Sequence, residues 1–293
     1  MRVLCLGSMN LDYVYSVSHI LAPGETISST GRETFAGGKG LNQSVAAAKA
    51  GLPVFHAGLS GTGGELLLET LRENGVDVSF IRPVDALPGH TVIQVDEKGQ
   101  NCILLYGGTN RQLTSDLIGD VLSQFGPGDF LLLQNEVNRL DEIIDRAHAR
   151  GIRIVLNPSP FDQAVMACDL DKVSLFLVNE IEGAQISGCL AREPEKILDW
   201  FGAHYPNAEV VLTLGADGAW YSGNGVRHFQ PAIPVTAVDT TAAGDTFTGY
   251  FLEGWSTGRG VEETLRRATR AASIAVSRKG AAPSIPLASE LAD

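Results

Sequence analysis

The chain has 293 residues and carries 34 acidic against 22 basic residues, so its formal net charge at pH 7 is −12. This acidic balance, without any run of basic residues, argues against nucleic acid and anionic membranes as partners. The length suits one large α/β domain with an accessory element.

The four cysteines indicate free thiols in a reducing compartment. Cys5, Cys102, Cys168 and Cys189 form no C-x-x-C pair, and neither they nor the six histidines show metal-ligand spacing. The N-terminal apolar run is too short for a signal peptide, and no apolar stretch approaches the roughly 18 residues of a membrane span. We therefore expect a soluble cytoplasmic protein.

Short apolar runs alternate with helix-like segments along most of the chain, which is typical of a parallel sheet covered by helices. In chain order the sequence predicts a strand over 3–6, a helix over 41–50, strands over 54–59 and 130–133, a helix over 140–150, strands over 154–157, 175–178 and 210–214, and helices over 244–254 and 261–277. The pattern therefore predicts an α/β fold.

Two stretches interrupt this alternation. Residues 11–37 lack helical periodicity and carry Thr, Ser and Gly, whereas residues 90–106 have the pattern of a hairpin turning at 97–100. Together they could form a small sheet, a lid over the mouth of the main domain. The main domain would then comprise 1–10, 38–89 and 107–293. Exposed strand edges on two lids would allow a homodimer.

The run D-T-T-A-A-G-D-T-F at 239–247 places small residues directly before a predicted helix. Ala242, Ala243 and Gly244 have little or no side chain, so backbone N–H groups at this helix start can approach an anion closely. Asp245 follows in the first turn, where it could accept a proton from an alcohol attacking a bound phosphoryl group. An ordinary Asp-rich helix start is the alternative.

Two polar clusters lie near the first predicted strand and helix. Asn10 and Asp12 follow the strand over 3–6, where open α/β sheets bind ligands, and their side chains suit sugar hydroxyls. The run G-G-K-G-L-N at 37–42 combines three glycines, a cation and an amide at a helix start. Close backbone approach to a ligand is one interpretation of that run, and a simple turn is the other.

Two further clusters follow later strands. Asn179 and Glu182 stand at i and i+3 of N-E-I-E, on one helical face, and could hold Mg²⁺ through water near phosphates. A solvated helix start is the alternative. The run T-L-G-A-D-G at 213–218 ends a strand with glycines that could admit a nucleotide, although a plain turn between strands explains it equally well.

Two common nucleotide-binding motifs are missing. No G-x-G-x-x-G follows the strand over 3–6, so a dinucleotide site loses its main support. The run at 37–40 lacks the upstream glycine and the following Ser or Thr of a P-loop. Phosphate binding in this chain must therefore use another arrangement.

Taken in order, the motifs resemble the ribokinase (PfkB-type) family of carbohydrate kinases over the whole chain. The resemblance rests on G-S-M-N-L-D at 7–12, P-G-E-T at 23–26, G-G-K-G-L-N-Q at 37–43, L-N-P-S-P at 156–160, N-E-I-E at 179–182, T-L-G-A-D-G at 213–218, D-T-T-A-A-G-D-T-F at 239–247 and R-K-G-A-A-P-S at 278–284. It implies a Rossmann-type three-layer αβα sandwich with a small β-sheet lid. It also implies ATP-dependent phosphorylation of the primary hydroxyl of a pentose, with D-ribose as the expected sugar.

The resemblance also implies roles for the matching positions. Asp245 would be the base, and the amides of Ala242, Ala243 and Gly244 would form the anion hole. The sugar would contact Asn10, Asp12, Gly38, Lys39, Asn42, Glu136 and Asp245. The nucleotide and Mg²⁺ would involve Asn179, Glu182, Thr213, Gly215, Gly218 and Gly244. The ribokinase branch of the family also holds K⁺, and the matching positions are Asp239, Thr241, Ala275, Arg278, Gly280 and Ser284, several through backbone carbonyls.

The chain departs from common family patterns at three places. Many relatives have Gly where Ala242 stands, although ribokinases commonly carry Ala. The run L-Q-N-E at 133–136 replaces the usual L-Q-L-E, and Y-G-G-T-N at 106–110 replaces H-A-G-A-N. Because the last two lie near the expected sugar pocket, kinases for deoxyribose, ketohexoses or nucleosides stay open as alternatives.

Single residues and motifs also distinguish this chain from proteins of other functional classes. A non-catalytic sugar-sensing protein would be expected to lose Asp245 or Gly244, and both are present. A nicotinamide-dependent reductase would need the missing phosphate fingerprint. For the K⁺ site, the residues alone favour an Asp239 that caps a turn or pairs with Arg278 and a C-terminal run that is only a turn, and it is the family resemblance that favours the cation.

Overall fold

Two separate β-sheets organise residues 1–291, the part of the chain that the computed structural model describes. The strands are β1 Val3–Leu6, β2 Asn10–Ser16, β3 Gly31–Gly37, β4 Val54–Ser60, β5 Asp77–Pro83, β6 Gly89–Val95, β7 Asn101–Tyr106, β8 Phe130–Gln134, β9 Arg153–Asn157, β10 Leu175–Asn179, β11 Glu209–Thr213, β12 Gly218–Gly223 and β13 Val226–Pro231. The α-helices are α1 Lys39–Ala50, α2 Glu65–Glu73, α3 Ser115–Leu122, α4 Leu140–Ala149, α5 Gln163–Met166, α6 Glu180–Ser187, α7 Pro194–His204, α8 Ala243–Ser256 and α9 Val261–Val276.

The large sheet has nine strands in the order β13-β12-β11-β10-β9-β8-β1-β4-β5. The pairs from β11 to β5 are parallel, whereas β12 and β13 add an antiparallel edge. Strands β1 and β8 are buried at every residue because helices cover both faces of the sheet. The predicted strands and helices of the main domain are all present, with ends that agree to within two residues.

Side chains of the large sheet alternate between two hydrophobic clusters. Val3 and Cys5 of β1 pack into one cluster with apolar residues of α1, α2, α8 and α9. Leu4 and Leu6 pack into the other, with apolar residues of α3, α4, α6 and α7. The predicted three-layer αβα sandwich is therefore confirmed.

The small sheet has four strands in the order β3-β2-β6-β7. Strand β2 pairs antiparallel with β3 and parallel with β6, and β6 and β7 form the predicted hairpin. Asn10 at the start of β2 lies opposite both Gly37 and Gly89. The chain therefore enters and leaves the small sheet at neighbouring points beside the carboxyl end of β1.

Helices α1 and α8 cross in direct backbone contact. Gly249 of α8 allows this approach, since a Cβ there would fall 2.6 Å from the carbonyl carbon of Ala46 in α1. The N-termini of the two helices consequently lie side by side at the edge of the large sheet. No helix within residues 1–291 is long and apolar enough to cross a membrane.

Candidate active site

A cleft of about 260 Å³ opens where the carboxyl ends of β9, β10 and β11 meet the N-termini of α1 and α8. This is the edge at which open α/β sheets bind ligands. The residues lining it include eight of the predicted site residues, namely Lys39, Asn179, Glu182, Thr213, Ala242, Ala243, Gly244 and Asp245. The fold thus brings together positions that the sequence spreads over about 200 residues.

Asp245 lies in the first turn of α8 and is only 8% exposed. Its Oδ2 accepts a hydrogen bond from Asn42 Nδ2 at 3.1 Å, and its Oδ1 accepts one from Gln43 Nε2 at 2.9 Å. Both donors belong to α1. Two amide groups from the neighbouring helix therefore fix the plane of the carboxylate.

Small residues open the N-terminus of α8 toward the cleft. Ala242 is the N-cap and has φ 58 and ψ 12, the left-handed conformation. Such a conformation costs a residue other than Gly roughly 1–2 kcal/mol, so a glycine would be favoured at this position. The Ala243 N–H makes only a long hydrogen bond, 3.3 Å, to the Thr240 carbonyl oxygen. The helix start therefore presents backbone donors to an anion.

Lys39, the first residue of α1, brings a positive charge into the cleft. Burial lowers the pKa of its ammonium group, but the charges of Asp245, Glu136 and Glu182 more than offset this and raise the pKa above its ordinary value. Lys39 is therefore a cation that is surrounded by three carboxylates. A bound phosphate would meet this cation and the α8 amides together.

A second cavity lies beside the small sheet and contains two predicted sugar contacts, Asn10 and Glu136. Asn110 Nδ2 donates to Asn10 Oδ1 at 2.8 Å. Glu136 Oε2 accepts hydrogen bonds from Ser8 Oγ and, at 3.1 Å, from the Lys39 backbone N–H. The cavity is therefore lined by polar groups whose positions are fixed, as recognition of a polyol requires.

Two further predicted sugar contacts, Asp12 and Gly38, lie close to Asn10 rather than in the cavity lining as residues 1–291 define it. Thr91 Oγ1 donates to Asp12 Oδ1 at 2.6 Å. Burial raises the pKa of Asp12, the Thr91 hydrogen bond lowers it, and the charge of Glu136 raises it again, so that the pKa lies above its ordinary value. Gly38 has φ 94, and a Cβ there would lie 3.0 Å from the Ser8 carbonyl oxygen. Glycine is needed where β3 turns sharply into α1.

The N-E-I-E cluster forms the start of α6 and faces the cleft. Asn179 Oδ1 accepts from the backbone N–H groups of Ile181 and Glu182, and Glu182 Oε2 accepts from the Asn179 N–H, which makes a capping box. Glu182 is buried, so the alternative of a solvated helix start does not apply to it. The capping box uses Oε2, and Oε1 is the oxygen that could hold a water of a hydrated Mg²⁺.

The glycines after β11 lie beyond the residues that line the cleft. Thr213 ends β11 and lines the cleft. Gly215 begins the following 3₁₀ turn and Gly218 begins β12, and the Leu214 N–H donates to the Gly218 carbonyl oxygen at 2.8 Å, outside the cleft as residues 1–291 define it. Their predicted contact with nucleotide stays a prediction.

The positions implied for K⁺ lie in two segments, residues 239–241 and residues 275–284, which are in contact with each other. Asp239 accepts hydrogen bonds from the backbone N–H groups of Thr241 at 2.9 Å and Gly280 at 3.0 Å. Burial raises the pKa of Asp239, but these hydrogen bonds and the charge of Lys279 bring it below its ordinary value. Arg278 pairs with Glu290 at 2.6 Å rather than with Asp239. Asp239 thus caps the turn that leads to Ala242.

The other predicted K⁺ positions lie in or beside the second segment. The Arg278 N–H donates to the Ala275 carbonyl oxygen at 3.0 Å, and Ser284 Oγ donates to the Ala281 carbonyl oxygen at 2.8 Å. Within residues 1–291 no group of three or more His, Cys, Asp or Glu side chains is arranged to hold a metal ion. The oxygen ligands that these segments could offer a large monovalent cation are backbone carbonyl groups, the Asp239 carboxylate and the Ser284 hydroxyl.

Several contacting residues were not assigned a role from the sequence. Gln43, Asn110, Thr91 and Ser8 each donate a hydrogen bond to a predicted site residue. Gln43 and Asn110 stand within or beside the recognised motifs, but nothing in one sequence tells a buried glutamine that bonds to a catalytic carboxylate from one that packs in the core. Thr91 carried no signal, since its partner Asp12 lies on another strand.

The two departures in the sugar region have different consequences. Asn135 donates through Nδ2 to the Pro160 carbonyl oxygen at 2.8 Å, so its side chain is directed to the loop after β9. Asn110, the last residue of Y-G-G-T-N, lines the sugar cavity and contacts Asn10. The unusual residue in L-Q-N-E therefore does not alter the cavity wall directly, whereas the second run forms part of it.

Comparison with known proteins gives consistent matches. Residues 1–288 match the model of a family described as pfkB family carbohydrate kinase. The chain is 34% identical over 296 aligned residues to the ribokinase of Bacillus subtilis (strain 168), covering 99% of this chain and 98% of that protein. The ribokinase of Cryptococcus neoformans var. grubii serotype A in complex with ADP has a TM-score of 0.86 and 32% identity, covering 99% of this chain and 98% of that one. The ribokinase of Arabidopsis thaliana complexed with ribose and ATP has a TM-score of 0.86 and 30% identity, with 99% and 97% covered.

Proposed function

Since this chain belongs to the pfkB family of carbohydrate kinases, we propose that it transfers the γ-phosphoryl group of ATP to the primary hydroxyl of D-ribose, giving ribose 5-phosphate and ADP. The observation that carries the proposal is the position of Asp245. Its carboxylate lies at the open N-terminus of α8, where phosphate would bind, and is bonded to Asn42 of the predicted sugar site. A base between the two substrates is what phosphoryl transfer to an alcohol requires.

The proposed reaction needs few steps. The O5 hydroxyl of the sugar donates its proton to Asp245 as the oxygen attacks the γ-phosphorus, a new O–P bond forms, and the bond to the ADP oxygen breaks. Lys39 and the backbone N–H groups at the start of α8 stabilise the negative charge on the transferred group. The proton leaves Asp245 after the product departs, so the enzyme returns to its initial state.

Mg²⁺ and K⁺ belong to the proposal as supporting ions. Glu182 and Asn179 would hold Mg²⁺ through water, and the ion would neutralise charge on the ATP phosphates. K⁺ would bind to Asp239 and neighbouring carbonyls and order the loop that leads to Ala242. Support comes from the way Asp239 already joins Thr241 to Gly280 across the two segments.

Ribose is the preferred sugar because a relative that spans the whole chain is known in complex with ribose and ATP. The test is to assay the purified protein with ATP and Mg²⁺ against ribose, deoxyribose, ketohexoses and nucleosides. Ribose should give the highest kcat/KM. A higher value for another sugar or a nucleoside would reassign the substrate, and ribose binding without turnover of any sugar would indicate a sensing protein.

We further propose that residues 11–37 and 90–106 form a lid that closes over the sugar and excludes water. Leu105 of strand β7 lines the sugar cavity together with Asn10, the first residue of β2, which supports the assignment. Amide hydrogen exchange in strands β2, β3, β6 and β7 should slow with saturating ribose. Unchanged exchange would contradict closure.

The lid also supports a homodimer. Strand β7 is a sheet edge whose residues are all exposed, with Ile103 56% and Leu104 70% exposed. The register places Ile103 with Val14 and Ile93 on one face and Leu104 with Tyr13 and Val92 on the other. An apolar edge of this kind pairs readily with a second copy.

Light scattering tests the dimer. Leu104→Lys should yield monomers, because a charge would be buried between the two lids. Leu190→Lys is the matched control, since Leu190 is also exposed, at 53%, but lies in the loop after α6. A monomeric wild-type protein would contradict the pairing.

The four free cysteines are consistent with action in the cytoplasm, which we propose as the compartment of this protein.

A further inference from the structure

A chain of three buried side chains runs from the interior of the large sheet to Asp245. Gln43 Nε2 donates to Asp245 Oδ1 at 2.9 Å, and Gln134 Nε2 donates to Gln43 Oε1 at 2.6 Å. Gln43 and Gln134 are both 0% exposed. Gln134 is the last residue of β8, which lies between β9 and β1 inside the sheet, so the chain connects the interior of the large sheet to the reacting carboxylate.

The hydrogen bonds leave only one orientation for the Gln43 amide. Its oxygen accepts from Gln134, so its NH₂ group must face the other way. That group donates to both Asp245 Oδ1 and Asn157 Oδ1, the latter at 2.8 Å. Asn157 is fixed in turn, because its Nδ2 donates to the Leu177 carbonyl oxygen at 2.8 Å. The amide orientations of Gln43 and Asn157 are thus both set by their neighbours, whereas Gln134 Oε1 is buried without a partner among residues 1–291.

Gln43 and Asn42 hold opposite oxygens of one carboxylate. Adjacent residues of a helix point about 100° apart, yet both reach Asp245, since the start of α8 lies across α1. Asn42 lies in the predicted sugar site, and its Oδ1 is buried without a partner, so its side chain can turn to a hydroxyl. Gln43 has no such freedom. Of the two donors, Gln43 is the one that keeps the carboxylate in place throughout the reaction.

We infer that Gln43 is a positioning residue, which orients the Asp245 carboxylate for removal of the sugar proton and does not itself touch sugar or nucleotide. This inference rests on the kinase function proposed above. A carboxylate held at one oxygen only can rotate, and its lone pair then leaves the line to the hydroxyl.

The test is Gln43→Met, which keeps the length of the side chain and removes the donor. We expect kcat to fall roughly 10- to 100-fold, with KM for ribose and ATP changed less than about threefold. Ser44→Ala is the matched control: Ser44 is the next buried residue of α1 but bonds to His56, and kcat should stay near wild type.

A double-mutant cycle separates positioning from a general loss of structure. In an Asp245→Asn background, Gln43→Met should lower kcat no further, because Gln43 acts only through the carboxylate. An equal fall in kcat on adding Gln43→Met to the wild type and to Asp245→Asn would overturn the inference. A wild-type kcat in the Gln43→Met single variant would also overturn it. If Gln43→Met does not fold, Gln134→Met frees the Gln43 amide without removing its donor and should show a smaller effect, equally absent in the Asp245→Asn background.

One measurement needs no substrate. Carbon-13 NMR of Asp-labelled protein, with the Asp245 signal identified by its loss in Asp245→Asn, reports on the surroundings of that carboxyl group directly. The chemical shift of this signal should change in Gln43→Met and stay unchanged in Ser44→Ala. An unchanged shift in Gln43→Met would refute the contact, whereas a changed shift in a protein that phosphorylates no sugar would uphold the contact and refute the proposed function.

Discussion

Asn42 Nδ2 lies 3.1 Å from Asp245 Oδ2, although the two residues are 203 positions apart in the sequence. The first turns of α1 and α8 therefore share one polar contact. It joins a predicted sugar ligand to the predicted base, so that the acceptor hydroxyl and the phosphoryl group would meet at this point.

Asp245→Asn should lower kcat by roughly 10²- to 10⁴-fold and change KM for the sugar much less, because the base acts in the transition state. Steady-state kinetics with ribose and ATP measure both values. Asp199→Asn is a suitable control, since Asp199 only pairs with Arg227 on the surface. A near-normal kcat in Asp245→Asn would place the base elsewhere.

Glu182→Gln should raise the Mg²⁺ concentration for half-maximal activity roughly tenfold, because a charged group that holds the hydrated ion is lost. The capping box should survive, since glutamine also serves at this helix position. The melting temperature should consequently change little. Glu180→Gln makes the same charge change in the same turn of α6, away from the cleft lining, and should leave the Mg²⁺ requirement alone. Equal requirements in all three proteins would argue against the site.

Activity should depend on K⁺ through Asp239. Replacing K⁺ by tetramethylammonium at the same ionic strength should lower kcat about tenfold, or about 1.4 kcal/mol in the barrier, and affect sugar KM less. Asp239→Ala should have low kcat in both salts, because Thr241 and Gly280 lose their shared partner. Wild-type rates that are the same in the two salts would exclude the cation site.

His56 should make the protein less stable in mild acid. It is fully buried between Ser44 and the Gly7 carbonyl oxygen, and burial lowers its pKa to about 4. In the unfolded chain a histidine has a pKa of about 6.5. Between these values the unfolded state binds the proton, so stability falls as pH drops, by about 2 kcal/mol at about pH 5.

Denaturant unfolding of wild type and His56→Gln at about pH 7.5 and 5 measures this contribution. The variant lacks the titrating group, and its loss of stability between the two pH values should be smaller by that amount. The comparison uses differences within each protein, so any constant cost of the substitution cancels. The same loss in both proteins would contradict the buried neutral histidine.

The ten predicted elements of the main domain could be recognised because their strands are continuous apolar runs and because Gly51 and Gly151 mark the ends of α1 and α4. Strands β1 and β8 are buried on both faces, and their sequences show it. Helix α6 was not predicted: it has eight residues, its Ile181 is exposed and its Ile186 is buried, so it carries no continuous apolar stripe. In the sequence its capping residues, Asn179 and Glu182, indicate only a polar cluster.

The site was predictable where one short motif contains the reactive and phosphate-binding groups together, as residues 239–247 do. It was not predictable where a side chain is held by a partner far along the chain. Gln134 is 91 residues from Gln43, and Thr91 is 79 residues from Asp12. Side-chain hydrogen bonds between elements follow no sequence period, so only the fold reveals them.

Gly249 has a consequence for how substrate preference can diverge in this fold. It locks α1 against α8 one turn beyond Asp245, so the spacing between the base and its two amide donors cannot change without moving both helices. The small sheet, by contrast, is a separate sheet to which the chain crosses at the segments around Asn10, Gly37, Gly89 and Tyr106. Mutations there can reshape the sugar cavity while the phosphoryl-transfer geometry is inherited unchanged. Kinases that descend from one ancestor can therefore change their sugar specificity through mutations in the small sheet.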